Sequence, residues 1–174
     1  MPRIHLIEGP VGAGKSTYAR AMAARLACVH IALDEWFAQL FSPDRPDSDF
    51  VAWYLQRKDR LLDLIWAHAQ SILQTDTDVA LELGLIQRQA RMEFYERMHA
   101  AGVEFTVHVL DAPIEERRAR VRRRNTERGP TFSMVVPDHI FEAASGLWEP
   151  PDDVELDRCE VVFVNAESPP GSDR

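Results

Sequence analysis

The chain has 174 residues and a formal charge of −8, and 45% of its residues are hydrophobic. This length and composition indicate one globular domain and exclude a largely disordered chain. No run reaches the roughly 20 apolar residues that a membrane span needs, so we expect no association with a membrane. The acidic balance also argues against a protein that coats nucleic acid.

Cysteine usage favours an intracellular protein. Cys28 and Cys159 precede separate apolar runs far apart in the chain, and we expect both thiols to be buried and unpaired, as in a reducing compartment. The N-terminal apolar run, residues 4–7, is too short for a signal peptide. We therefore expect a cytoplasmic location.

Short apolar runs alternate with longer helical patterns along the chain. In chain order, the predicted elements are strand 4–7, helix 16–27, strand 28–32, loop 42–48, helix 50–74, strand 79–83, helix 87–101, strand 103–110, helix 113–125, helix 137–147, strand 160–164 and a flexible tail, 166–174. Strands that alternate with helices predict an α/β fold with a parallel sheet and helices on both faces. We expect one domain over residues 1–165.

Residues 9–16, GPVGAGKS, fit the pattern G-x-x-x-x-G-K-[ST] at every fixed position, between a predicted strand and a predicted helix. Glycines allow successive backbone N–H groups to turn inward around phosphates, and a helix N-terminus adds free N–H donors. We therefore predict a nucleotide-binding loop, or P-loop. Its predicted nucleotide contacts are Gly9, Val11, Gly12, Ala13, Gly14, Lys15, Ser16 and Thr17.

Three side chains of this segment have predicted roles in holding ATP. The charge of Lys15 would lie against the β- and γ-phosphates. The Ser16 hydroxyl would bind Mg²⁺, and Thr17 would contact the α-phosphate. The chain has only two lysines among 20 basic residues, so a lysine at this position is informative.

The chain resembles the small P-loop kinases grouped with zeta toxins, chloramphenicol phosphotransferase and the kinase domain of polynucleotide kinases. It resembles more closely a set of bacterial predicted kinases labelled ATP-binding (AAA-type ATPase) proteins. The matching segments are GPVGAGKST (9–17), LDEWF (33–37), VALELGLIQRQAR (79–91), LDAPIEERRARVRRRN (110–125) and LWEPPDDVE (147–155). The resemblance implies a P-loop NTPase fold with a five-stranded parallel sheet of order 2-3-1-4-5. It also implies an arginine-rich lid at about 117–133.

Asp34 follows the second predicted strand, where this kinase group carries a carboxylate near the acceptor hydroxyl. Ligands of open α/β sheets bind at the carboxyl ends of strands, so the position suits a ligand contact. Phosphoryl transfer needs a group that orients the attacking hydroxyl and accepts its proton. The alternative is that Asp34 is an ordinary N-cap of a helix that begins at Glu35.

Glu82 ends the third predicted strand, where a P-loop enzyme often places an acidic residue that holds Mg²⁺ through water. We predict a metal role for Glu82 beside Ser16; a salt-bridged strand end is the alternative. Arg88 follows closely and could contact substrate or only cover its helix.

Residues 115–128 hold seven arginines against three glutamates, a local charge of +4, so the rest of the chain carries −12. Arg117, Arg120 and Arg124 share one helical face. Guanidinium groups in a closing lid neutralise the charge of a transferred phosphoryl group. The resemblance points to Arg120 and Arg124 as the lid pair. With Lys15 and Asp34 they form the predicted catalytic set.

Two alternatives exist for this arginine cluster. It could be a solvated face balanced by its glutamates, or it could bind nucleic acid, which the overall acidity and the lack of interleaved aromatic residues disfavour. Gly129 and Pro130 are predicted to form a hinge or the tip of the lid. The backbone near Asn165, after the fifth strand, is predicted to contact adenine, with Arg120 also contacting the nucleotide.

Six aromatic residues lie between the second strand and the long helix. They could form a wall against a ring-bearing acceptor, or they could pack in the core under a long loop. They are Trp36, Phe37, Phe41, Phe50, Trp53 and Tyr54.

These observations predict an ATP- and Mg²⁺-dependent kinase that acts on a hydroxyl of a small molecule. Two alternatives are a zeta-like toxin that phosphorylates a nucleotide sugar and a nucleotide-binding regulator without an acceptor. The chain has no N-K-x-D guanine motif, which argues against a GTPase. The sequence predicts neither the identity of the acceptor nor the oligomeric state.

Overall fold

The computed structural model describes residues 1–165, so the tail predicted at 166–174 lies outside the described residues. The described chain forms one parallel sheet of five strands. The strands are β1 (Ile4–Glu8), β2 (Val29–Ala32), β3 (Val79–Glu82), β4 (Phe105–Asp111) and β5 (Glu160–Asn165). The helices are α1 (Lys15–Leu26), α2 (Leu33–Phe41), α3 (Phe50–Leu73), α4 (Arg88–Ala100), α5 (Ile114–Glu127), α6 (Asp138–Gly146) and α7 (Asp153–Leu156).

The strand order is β2-β3-β1-β4-β5, as the resemblance implied. Strand β1 lies in the centre, and its first residue, Ile4, pairs with Val79 on one side and Phe105 on the other. Every pair of neighbouring strands is parallel. The carboxyl ends of the five strands therefore share one edge of the sheet, where ligands bind in open α/β folds.

Apolar side chains alternate between the two faces of the sheet, and helices cover both faces. On one face, Leu6 packs in a core cluster with side chains of α3 and α4, among them Ile65 and Phe94. On the other face, Ile7 packs with Ala19 and other residues of α1. Such double cover explains why the strands are nearly continuous apolar runs, and it confirms the predicted layers.

Most predicted elements are confirmed, with ends that differ by one or two residues. Helix α2 was considered only in the N-cap alternative for Asp34, and the four-residue helix α7 and a 3-10 turn at Ser42–Asp44 were not predicted. Short elements bury few apolar residues, so their periodicity is weak. Among the helices of residues 1–165, none is long and apolar enough to cross a membrane.

Candidate functional site

The loop between β1 and α1 is shaped by glycines with positive φ angles. Gly9, Gly12 and Gly14 have φ angles of +144°, +79° and +96°. A Cβ on Gly9 would lie 2.2 Å from the carbonyl oxygen of Leu110, and a Cβ on Gly12 would lie 2.6 Å from that of Arg117. Gly14 has a freer surrounding, since the nearest atom to an added Cβ is Nη1 of Arg120 at 3.9 Å. The motif therefore forms a tight loop that only glycine permits at these positions.

The Lys15 ammonium lies inside this loop and donates 2.9 Å hydrogen bonds to the carbonyl oxygens of Gly9 and Pro10. Burial lowers the pKa of Lys15, although the negative charges of Glu82 and Asp34 act in the opposite direction. An ammonium has three N–H donors, so one is left for a phosphate oxygen. Lys15 also begins α1, whose free N–H groups face the same side.

Ser16 and Glu82 are in direct contact at the carboxyl edge of the sheet. The Ser16 hydroxyl donates a 2.8 Å hydrogen bond to Oε1 of Glu82. The second oxygen, Oε2, lies 3.5 Å from Nε2 of His30, which comes from β2. Burial would raise the pKa of Glu82, but His30, Lys15 and Ser16 outweigh it and hold that pKa below its ordinary value. Glu82 is therefore an ionised carboxylate.

This donor set suits a magnesium ion bound mainly through a nucleotide. Within residues 1–165, buried Oε2 of Glu82 makes no hydrogen bond. No group of three or more His, Cys, Asp or Glu side chains in that part of the chain could hold a metal by itself. Mg²⁺ is usually held by one or two protein ligands together with phosphates and waters, so one hydroxyl and one carboxylate fit it.

Asp34 lies near these groups, but it is not a helix cap. Ala32 occupies the N-cap position of α2, and Asp34 is the second residue of the helix. The N-cap alternative is therefore wrong. The Asp34 side chain reaches solvent although protein surrounds it. This partial desolvation and the charge of Glu82 raise its pKa, against the cations Lys15, Lys58 and Arg124.

Two arginines of α5 face the loop. Burial lowers the pKa of Arg124, against the negative charges of Asp34 and Glu82, and its buried Nε finds no hydrogen-bond partner in the described residues. Arg120 lies over Gly14 and also pairs with Glu116 at 3.3 Å. Both predicted lid arginines are thus on the side of α5 that faces the nucleotide-binding loop.

Arg117 is on the same face but is tied to backbone. Its guanidinium is buried and donates to the carbonyl oxygens of Ala112 and Val11 and to the Ser145 hydroxyl. It therefore links α5 to the nucleotide-binding loop at Val11. The predicted lid, 117–133, begins in the structure with this fixed residue.

The loop that follows α5 folds back towards α1. Asn125 accepts a hydrogen bond from the Val136 amide and donates one to the Val136 carbonyl, which closes the loop at its base. Its tip contacts α1, because the Arg20 guanidinium donates to the carbonyl oxygen of Pro130 and also to Glu35. We call residues 128–136 the lid loop.

The aromatic residues beside α2 pack mainly in the core. The Phe37 ring is buried, and it contacts the rings of Phe41, Trp53 and Tyr54 with centroids 4.9 to 5.7 Å apart. Arg88 likewise forms an ion pair within the protein, since its Nε lies 2.5 Å from Oδ2 of Asp152. These contacts favour the packing interpretation of both features.

Three residues near the site were not singled out from the sequence: Glu8, His30 and Lys58. The charged groups of the site that act on them, such as Glu82 on His30 and Asp34 on Lys58, are far away in the chain, so no local spacing marks them. Only the position of Glu8, directly before the motif, and the rarity of lysine could have drawn attention to two of them. The backbone of Asn165 pairs with Asp111 at the carboxyl edge, and its predicted adenine contact stays a prediction.

Solved structures with the same fold include kinases and a protein in complex with ADP-AlF3. A sugar kinase from Janibacter sp. HTCC2649 matches with a TM-score of 0.65 at 14% identity, over 98% of this chain and 88% of that chain. Kti12 from Chaetomium thermophilum, in complex with ADP-AlF3, matches with 0.65 at 15% identity, over 94% and 89%. A chain of the Pnkp1/Rnl/Hen1 RNA repair complex matches with 0.64 at 21% identity, over 84% and 43%.

The sequence itself matches a family model over most of its length. Among curated proteins, none matches the sequence. The family model AAA_33, described as an AAA domain, matches residues 4–151. That range extends from β1 through the nucleotide-binding loop and α5 to the segment before α7. The chain therefore belongs to this AAA-domain family and has a P-loop NTPase fold.

Proposed function

We propose that the protein is an ATP- and Mg²⁺-dependent phosphotransferase that moves the γ-phosphate of ATP to a hydroxyl of a small molecule in the cytoplasm. The observation that carries the proposal is the position of Asp34. This accessible carboxylate lies within the electrostatic reach of Lys15 and Arg124, at the same sheet edge as the nucleotide-binding loop. A carboxylate in this position, separate from Glu82, suits a group that orients an acceptor hydroxyl and accepts its proton.

Each residue of the site has its own role in such a reaction. The loop amides and Lys15 would bind the β- and γ-phosphates, with Mg²⁺ held by Ser16 and Glu82 to neutralise phosphate charge. As the acceptor oxygen bonds to the γ-phosphorus, the bond from phosphorus to the ADP oxygen breaks and its electron pair leaves with ADP. Asp34 accepts the hydroxyl proton, a role that its raised pKa suits. Arg120 and Arg124 stabilise the charge on the transferred group.

The similarity to kinases supports this reaction class without naming an acceptor. The Janibacter structure is a sugar kinase, and a gluconokinase from Sinorhizobium meliloti shares the fold with a TM-score of 0.52 at 18% identity. The resemblance to zeta toxins and chloramphenicol phosphotransferase belongs to the proposal as well. Nucleic acid is not the proposed acceptor, because the charge outside residues 115–128 is −12.

The test is phosphate transfer from labelled ATP with Mg²⁺ to pools of hydroxylated metabolites, sugar nucleotides and oligonucleotides. We expect transfer to a small acceptor, and we expect Asp34→Asn to reduce kcat by 100-fold or more while ATP binding is kept. Lys15→Ala should lose ATP binding itself. Asp47→Asn, at an exposed loop residue, is the matched control.

Each other outcome has a distinct meaning. Transfer by Asp34→Asn at the wild-type rate would refute the role of Asp34. Phosphorylation of a sugar nucleotide would favour the toxin-like alternative. Absence of transfer to every pool, together with nucleotide-dependent binding of a protein, would replace the kinase proposal by a regulator.

A further inference from the structure

Helix α3 begins at Phe50 and places its first turns near the carboxyl edge of the sheet. Tyr54 and Lys58 lie one turn apart on a half-buried side of this helix. Asp34 is among the charges that act on both side chains. The chain has only two lysines, and the other is Lys15 of the nucleotide-binding loop. Both lysines are therefore close to the same carboxylate.

The Lys58 ammonium is only partly engaged by the protein. It donates one hydrogen bond of 3.3 Å, to the carbonyl oxygen of Gly84, directly beyond the end of β3. Gly84 borders open space, since a Cβ on it would meet no atom within 4 Å. An ammonium carries three donors, so two are directed elsewhere.

No carboxylate of the described residues neutralises this cation at close range. Within residues 1–165, Lys58 forms no ion pair shorter than 4.0 Å, although most of the arginines with partly buried side chains do. Burial lowers the pKa of Lys58, and only the more distant charges of Asp34 and Asp59 oppose this effect. A half-buried ammonium gains free energy from an anion placed against it.

The other cations of the site have different tasks. Lys15 is within the nucleotide-binding loop, and Arg120 lies over Gly14. Lys58 reaches the site from α3, on the side of Gly84, and no part of the nucleotide-binding loop contacts it through a hydrogen bond. It is also a compact ammonium in a chain that otherwise uses arginine, and an ammonium binds small anions as a point charge.

We propose that Lys58 binds an anionic group, a carboxylate or a phosphate, of the molecule whose hydroxyl lies at Asp34. The acceptor class is thus a small hydroxylated acid or phosphate ester. In naming this molecule an acceptor, the proposal rests on the proposed function. In this proposal, Lys58 determines which acceptor is preferred, while Asp34 contacts the reacting hydroxyl.

The test compares matched pairs of acceptors that differ in one anionic group: glycerate with glycerol, gluconate with sorbitol, and glucose 6-phosphate with glucose. We expect the wild-type protein to prefer the anionic member of at least one pair. Lys58→Gln should raise the KM for that compound 10-fold or more and leave the KM for ATP unchanged. Lys58→Arg should restore part of the loss. Arg60→Gln, which removes a cation from an exposed site on the same helix, should have no effect.

A second measurement does not need turnover. With two lysines in the chain, acylation of each can be followed by mass spectrometry. In the presence of a non-hydrolysable ATP analogue and Mg²⁺, the preferred anion should slow acylation of Lys58 at least several-fold, while its neutral partner should not. Inorganic phosphate, sulfate and acetate serve as minimal probes.

The two proposals fail separately. If neutral acceptors are preferred, or if Lys58→Gln keeps the wild-type KM, the anion site is refuted and the kinase stands. If anions protect Lys58 but no compound is phosphorylated, the anion site stands and the transfer reaction is refuted. If no anion protects Lys58, the anion site is refuted whatever the activity.

Discussion

Glu8 is a buried carboxyl group directly before the nucleotide-binding loop. The Tyr95 hydroxyl donates a 2.8 Å hydrogen bond to its Oε1, and Nε of Arg91 lies 3.6 Å from its Oε2. Burial raises the pKa of Glu8 to about 8, since Arg91 forms its closer ion pair with Glu155. Two carboxyl groups therefore share one guanidinium, and the raised pKa keeps Glu8 protonated at neutral pH.

This arrangement predicts a stability that falls as the pH rises. Below the ordinary Glu pKa of 4.5, both folded and unfolded chains carry the proton; between 4.5 and about 8 only the folded chain does. Unfolding then becomes easier with rising pH. Glu8→Gln should remove this dependence. Between pH 5.5 and 8, its free energy of unfolding should rise relative to that of the wild type by at least about 1.4 kcal/mol, the free energy of one pKa unit.

Urea unfolding at both pH values measures the difference. Glu93→Gln, an exposed change on α4, should keep the wild-type pH dependence. Parallel curves for Glu8→Gln and wild type would show that Glu8 is ionised in the folded protein.

At the scale of elements, the lid loop is held at its base and at its tip. Asn125 fixes the base, while Arg20 of α1 joins Pro130 at the tip to Glu35 of α2. Glu35 follows Asp34 directly, so a closed lid is linked to the helix that carries the proposed proton acceptor. Met134 of the lid loop also packs against the core cluster of α3 and α4.

Arg20→Gln should loosen this closure. We expect proteases to cut the lid loop several-fold faster, because its tip loses the hydrogen bond to Arg20 and with it the link to Glu35. We also expect more ATP hydrolysis without acceptor, since closure excludes water from the transferred group. Limited proteolysis followed by mass spectrometry locates the cut. Arg25→Gln, at an exposed site of the same helix, is the control, and equal cutting of both variants would refute the contact.

At the scale of the whole molecule, a buried ion pair connects distant segments. Arg91 of α4 binds both oxygens of Glu155 at 2.7 and 2.9 Å, and both side chains are inaccessible. Glu155 is also part of a capping box with Asp152 at the start of α7. The segment LWEPPDDVE therefore packs against α4 through two of its side chains. Glu155 pairs with Arg91, and the centroid of the Trp148 ring lies 5.3 Å from Cζ of the same arginine.

Breaking this pair should destabilise the whole fold. Arg91→Met leaves Glu155 buried without its cation, which costs about 3–5 kcal/mol of the free energy of unfolding. Arg97→Met, also on α4, removes a more exposed pair with Asp63 of α3 and should cost less than about 1 kcal/mol. Urea unfolding at pH 7 measures both. Equal losses of unfolding free energy in the two variants would show that the buried pair stabilises the fold no more than the exposed pair does.

The sequence by itself determined the strand–helix alternation, the parallel sheet and the nucleotide-binding loop. Hydrophobic period and glycine spacing are local properties, and positive φ at Gly12 and Gly14 follows directly from the motif. Asp34 was identified from the resemblance, and its role stays a prediction.

Only the tertiary structure determined which residues that are distant in the chain come into contact. His30 reaches Glu82 across neighbouring strands, Lys58 reaches Gly84 from another helix, and Arg91 selects Glu155 over Glu8. It also separated Arg117 from Arg120 and Arg124, although all three share a helical face. Such partners are separated by up to 106 residues in the chain, so only the packing of strands and helices brings them into contact.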